Sequence, residues 1–206
     1  MGYHRRMPSI APRRPFDFGA NHLVLDFVNT VSGRPTYMRD DLAKAADVFE
    51  WAAASGMVPR DHQAEPDPGE LQQFHAAIAL RENLYGVFGP IAAGDAPQAA
   101  ALAFVLRRAA RALQSSRWAR SELRYEPGWP QDSVEAICDR LADAAVQLLR
   151  SPLTCRVGSC SGCGWLFLDT SRAHARRWCS MNACGVRDKM RRYHQRQATA
   201  HVTATQ

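Results

Sequence analysis

The chain has 206 residues, 46% of them hydrophobic and 22% charged. That balance belongs to a folded chain with a real core, and it argues against collagen, coiled coil and wholesale disorder. No apolar run approaches the roughly 18 residues that cross a bilayer. The basic N-terminus leads into Phe16 and Asp17 rather than an apolar signal segment, so the expected location is cytoplasmic, with no membrane partner.

Read in chain order, residues 1–15 carry Arg and Pro without periodicity and are expected to be a disordered lead. Residues 23–30 are apolar enough for a core, and periodicity alone allows either a buried strand or a helical turn. Asp40 or Asp41 can cap a helix through Leu42, Ala45, Val48, Phe49 and Ala52 that stops at Gly56, and a proline-rich loop follows. Asp67, Pro68 and Glu70 form a capping signature for a second helix, which Gly89-Pro90 should end or kink. Asp95 and Pro97 open a third helix, 122–126 reads as a short strand, and a fourth helix is expected from about Asp132 to Arg150. Residues 16–150 therefore read as a mostly helical bundle, bounded by Ser151-Pro152, with no repeat or catalytic motif. The fold class expected is mainly α, and no enzyme activity is expected.

The last quarter differs. Residues 1–150 hold 17 Lys/Arg against 18 Asp/Glu, whereas residues 151–206 hold 9 against 2. Localised positive charge points to a polyanion, usually nucleic acid. The same segment holds five of the six cysteines. In a reducing compartment such clustering indicates metal more than disulfides. Cys160 and Cys163 form one close pair and Cys179 and Cys184 a second, the arrangement of a structural Zn(2+) site with one ion per chain. Cys155 could replace Cys160, and His174 could enter, though it falls where a hairpin should turn. Cys138 lies among Ile137, Leu141 and Ala142 and reads as a buried thiol.

Residues 164–169 are strand-like, and 176–178 can return as the partner strand. The stretch 183–196 is helical. Knuckle, β-hairpin and helix describe a treble-clef-like finger over 151–198, followed by a disordered tail over 199–206. At about 100° per residue, Val186, Met190 and Tyr193 form one stripe, suited to packing against Trp165 or Phe167. Arg187 and Arg191 fall on one flank, and Lys189, Arg192 and Arg196 on the other. Arg172, Arg176 and Arg177 complete the set expected to face nucleic acid, with Arg187 the candidate base reader. Metal-coupled folding would confine the effect of chelation to residues 155–198.

The strings CGWLFLDTSR (163–172), RWCSM (177–181) and CGVR (184–187) resemble the CGNR zinc-finger family. LDFVNT (25–30) and the helix containing Trp51 are similar to the ABATE domain that usually precedes that finger. The resemblance covers roughly residues 16–198 and implies a stress-induced transcription regulator with a DNA-binding finger. Val186 stands where the family motif has Asn, so the resemblance carries no base-reading role onto that position. The spacing before Cys163 is short for the family, which keeps Cys155 open as first ligand.

The expected partner is duplex DNA, with the helical domain sensing a small-molecule effector or forming a homodimer. Asn29, polar within an apolar run, is the candidate pocket residue. The rival reading is an RNA- or protein-binding module in which zinc only stabilises a basic platform, Trp165 and Tyr193 stacking on unpaired bases.

Overall fold

The computed structural model describes residues 16–34, 39–59, 69–130 and 133–203, with side chains described as far as residue 197. The lead 1–15, the Asp67-Pro68 helix start and Asp132 lie outside the described residues. Six α-helices are present among the described residues: α1 (Leu23–Val28), α2 (Ala45–Ala54), α3 (Glu70–Ala93), α4 (Ala99–Ser115), α5 (Val134–Arg150) and α6 (Val186–Thr203). Three two-stranded antiparallel pairs join them: β1 (Val31–Ser32) with β2 (Arg39–Asp40), β3 (Arg117–Arg120) with β4 (Tyr125–Gly128), and β5 (Val157–Ser159) with β6 (Leu166–Leu168). The mainly helical class holds.

The apolar run at 23–30 is helical, capped where the Val24 N–H donates to His22 Nδ1 at 3.3 Å. It is buried on nearly all sides, with Val24, Leu25, Phe27 and Val28 in the core, so no amphipathic period marks it. Helix α2 begins at Ala45, later than its expected Asp caps. Asp47 reaches back to accept from the Ala43 and Lys44 N–H groups at 2.7 and 3.1 Å, and Asp40 accepts from Leu42 instead.

Helix α3 runs straight through Gly89-Pro90 to Ala93 and stops at Gly94, whose φ is 86°. Pro90 has no N–H for the Gly86 carbonyl. The Gln98 N–H donates to that carbonyl at 3.1 Å, so the helix continues without an orphan acceptor. A Cβ on Gly86 would sit 2.8 Å from the Ala101 methyl, so glycine lets α4 pack closely on α3. Ser133 Oγ caps α5, accepting from the Ala136 N–H at 3.1 Å. The strand expected at 122–126 is half of a hairpin: β4 pairs with β3, which includes Trp118, and Leu123 is exposed at the turn.

Strand β6 lies where expected, but its partner does not. β5 precedes the cysteine knuckle and pairs Val157 with Leu168 and Ser159 with Leu166, while 176–178 forms a loop. A Cβ on Gly158 would fall 2.9 Å from the Phe167 ring, so only glycine fits that rung. Successive strand side chains point to opposite faces. Leu166 and Leu168 enter the main core with Val157, Phe27, Trp51, Leu80 and Leu84. Phe167 enters a second, small core with Cys160 and Cys184, packed by Trp165 and Trp178. One hairpin thus forms a wall of both the helical core and the cysteine core. Helix α6 continues to Thr203, through the start of the stretch expected to be an irregular tail.

Candidate metal centre and nucleic-acid interface

The first cysteine pair sits on a tight knuckle. The Cys163 and Gly164 N–H groups both donate to the Cys160 carbonyl, at 3.3 and 2.9 Å. Gly164 takes the left-handed conformation (φ 72°) that closes the turn. A Cβ there would also lie 2.6 Å from the Arg34 carbonyl, so the knuckle is fitted against the β1–β2 region. The second pair spans a short π-helical turn, Met181–Gly185, leading into α6. The Ser161 N–H donates to the Arg177 carbonyl at 3.2 Å and ties the two halves together.

The Sγ atoms of Cys160, Cys163, Cys179 and Cys184 lie within 4.8 Å of one another. Two of the separations, Cys163 to Cys179 and Cys179 to Cys184, are 3.6 Å. Tetrahedral zinc with bonds near 2.3 Å requires S···S distances of about 3.8 Å. Four thiols, already convergent and partly shielded from water, fit one zinc ion. Without metal, the shared Cys163–Cys179 contact holds Cys163 down at about 5 and pushes Cys179 up, while burial raises Cys184. A divalent ion replaces these shared protons.

The competing ligands are placed elsewhere. Cys155 is exposed in the turn Pro152–Arg156 and its thiol donates to the Pro152 carbonyl at 3.1 Å. His174 is exposed against Arg156. Cys138 is buried in the helical core, which pushes its thiol up to about 12 and leaves it inert.

Arg187, the expected base reader, is exposed and also touches a metal ligand. Its Nη2 donates to Cys184 Sγ at 3.0 Å, a contact available because the two residues are one helical turn apart. Zinc with four thiolates carries a net charge of −2, and this guanidinium offsets part of it. Outer partners of this kind contribute about 10–100-fold in metal affinity. Arg187→Ala should therefore keep its fold yet lose about that factor against a competing chromophoric chelator.

Arg176 leaves the nucleic-acid set. Its guanidinium donates to the carbonyls of Gly19, Trp178 and Cys179 at 2.9, 3.1 and 2.7 Å and lies 4.4 Å above the Phe167 ring. Asp169 shapes the loop that presents it, accepting from the Ser171 and Arg176 N–H groups at 2.9 Å each. Hydrogen bonds from Ser171 and Arg176 hold that carboxyl down at about 2. Apart from Arg176, the basic side chains of the set are exposed: Arg172 and Arg177 on the loop, the latter 5.5 Å from the Trp178 ring, and Arg187, Lys189, Arg191, Arg192 and Arg196 on α6. Arg191 and Arg192 share Asp188, at 2.5 and 2.9 Å. Asp188 is the buried anchor that sequence inspection missed; its i+3 and i+4 arginines were the available sign.

Asn29 is the staple between the two segments. Its Oδ1 accepts from the Leu166 N–H at 3.0 Å and its Nδ2 donates to the Leu166 carbonyl at 2.8 Å. Its own carbonyl accepts from Trp165 Nε1 at 3.2 Å. Both ends of the amide are engaged by backbone and the side chain is buried, which favours a structural role for Asn29 over the pocket role expected of it. Trp165 is half-buried and held by the same contact, so stacking on a base would cost that bond.

Nearby, buried Asp26 accepts from the Ala20 N–H at 2.9 Å, and burial pushes its carboxyl up to about 6, against the pull of Arg176. A carboxyl raised in the folded state costs stability as pH climbs from about 4 to 6, because folding then binds a proton the unfolded chain has released. Asp26→Asn should match the parent near pH 4 and exceed it by about 1–2 kcal/mol at pH 7, after discounting for solvent screening. Paired urea titrations across that range measure the difference.

Two family models match the chain. A family model for ABATE, described as "Putative stress-induced transcription regulator", matches residues 21–152. The CGNR zinc finger model matches residues 156–197 and takes in all four clustered cysteines. Both families are of regulator and zinc-finger type. No curated protein matches the chain. No helix among the described residues is long and apolar enough to cross a membrane. With the ABATE match spanning well over half its length and four thiols set for one zinc ion, the chain belongs to the ABATE family and carries a C-terminal CGNR zinc finger.

Proposed function

We propose that this protein is a cytoplasmic, zinc-dependent, DNA-binding transcription regulator. The finger holds duplex DNA through Arg172, Arg177, Lys189, Arg191, Arg192 and Arg196, and the helical domain senses an effector or dimerises. The observation that supports this best is the exposure of these six cations on one zinc-built module. Pairing to Asp188 does not withdraw Arg191 or Arg192, whose side chains stay 68% and 56% exposed with guanidinium nitrogens left to reach phosphate. The rival RNA reading is weakened at one of its two stacking rings, because Trp165 is bound to Asn29.

Each phosphate contact releases counterions, so log affinity should fall with log salt at about −0.9 per contact on duplex DNA. If three to five cations reach phosphates together, the slope is about −3 to −5. Arg191→Ala and Arg192→Ala should each shallow it by about one unit and weaken all sequences alike. Titrating labelled duplex, single strand and structured RNA at matched salt measures this. Tighter binding to structured RNA, or undiminished duplex binding by a zinc-loaded Lys189/Arg191/Arg192/Arg196 alanine variant, contradicts the proposal.

A further inference from the structure

The stripe expected to pack against Trp165 or Phe167 does not do so. Val186, Met190 and Tyr193 are 49%, 48% and 55% exposed. Trp165 and Phe167 are instead occupied by Asn29 and by the cysteine core. At about 100° per residue, Val186, Met190, Tyr193 and Gln197 fall within an arc of about 60°. Buried Asp188 lies on the opposite side, toward the finger. Lys189 and Arg196 line one flank of the ridge and Arg187 the other, while Arg191 and Arg192 stand further round, beside Asp188, with which both pair. Over three turns, α6 therefore presents water with an apolar ridge between two cationic walls.

Exposed apolar surface of this kind marks a contact, and the flanks decide with what. A second copy of the chain, seated ridge to ridge, would set cation against cation along both edges of the seam. A duplex supplies the opposite: two phosphate strands about 12 Å apart across a major groove that admits one helix, with a floor whose apolar group is the 5-methyl of thymine. We infer that Val186, Met190 and Tyr193 form a base-reading ridge specific for thymine methyl groups, and that the flanking cations hold it in the groove. This rests on the DNA reading above and deepens it. Specificity comes from apolar contact at the ridge, and Arg187, with Nη2 on Cys184 and the residue exposed, serves in the cationic flank.

The test uses the zinc-loaded full chain. A preferred duplex is selected from a random pool, and each thymine in it is then replaced singly by uracil, which removes only the methyl. A buried methyl is worth about fourfold in affinity. At one or more positions the parent protein should lose about that factor, and Met190→Ala or Val186→Ala should have lost it already and respond no further. Zinc content of each variant confirms that the finger is intact. Salt-sensitive duplex binding with no sequence preference, or with no uracil effect anywhere, overturns the ridge and leaves the DNA contact standing. Absence of duplex binding at any salt overturns both. A parent that sediments as a dimer and becomes monomeric in Met190→Ala assigns the ridge to protein contact and also overturns the inference.

Discussion

Removal of zinc should destabilise the whole chain, not the finger alone. Structural zinc in isolated fingers is worth about 10–16 kcal/mol of apparent binding free energy, most of it coupled to folding. Here that free energy reaches further, because β5–β6 carries Phe167 into the cysteine core and Leu166 and Leu168 into the helical core. Without metal, the knuckle loses the force that positions Cys160, whose N–H donates to the Trp165 carbonyl at 2.8 Å at the end of the hairpin. If about 5 kcal/mol is transmitted, a chain of this size should melt at least about 10 °C lower. Thermal unfolding followed by helix signal, with and without a strong chelator, measures it. A shift of the helical transition is expected, in place of the confined loss over 155–198 that the sequence suggests. An unchanged helical transition with a separate loss of finger signal would mean that the two cores are independent.

The second large effect belongs to Asn29. Alanine there removes both hydrogen bonds to Leu166 and leaves a buried N–H and a buried carbonyl without partners. Each orphaned buried group costs about 1–3 kcal/mol, so Asn29→Ala should destabilise the chain by about 2–5 kcal/mol. Asp in its place keeps the acceptor for the Leu166 N–H but sets a charge against the Leu166 carbonyl, so it should not rescue. Urea unfolding gives the size of the loss, and zinc affinity gives its reach: both should fall in Asn29→Ala. A variant of normal stability would mean that the staple contributes little and that Asn29 is held for another reason.

The legibility of the chain follows the range of the interactions involved. The four zinc ligands were readable because ligand spacing is local and zinc geometry is strict. Helix α5 was readable to its end at Arg150 from its apolar stripe and the Ser151-Pro152 that follows. Helix α1 was ambiguous because burial on every side erases amphipathic period. Pro90 looked like a stop because the donor that replaces its missing N–H, on Gln98, belongs to the next element. The partner of β6 was misread because Val157-Gly158-Ser159 carries little strand signal, and its reason for pairing is the Phe167 ring above Gly158. The stripe on α6 was visible as a period, but a period does not say what covers it. Arg176 looked like an ordinary surface cation because the Gly19 carbonyl it reaches becomes a neighbour only in the folded chain, whereas the Arg187 contact to Cys184, one helical turn away, is local.

On the DNA reading, the finger, docked through β5–β6, turns α6 and the 172–177 loop toward the duplex. Arginine footprinting with phenylglyoxal, read by mass spectrometry with and without duplex, tests it most directly. Duplex should protect Arg172, Arg177, Arg191, Arg192 and Arg196. It should leave Arg117 and Arg120 on the exposed β3–β4 hairpin as reactive as before. Protection confined to Arg117 and Arg120, with α6 unchanged, would contradict the account.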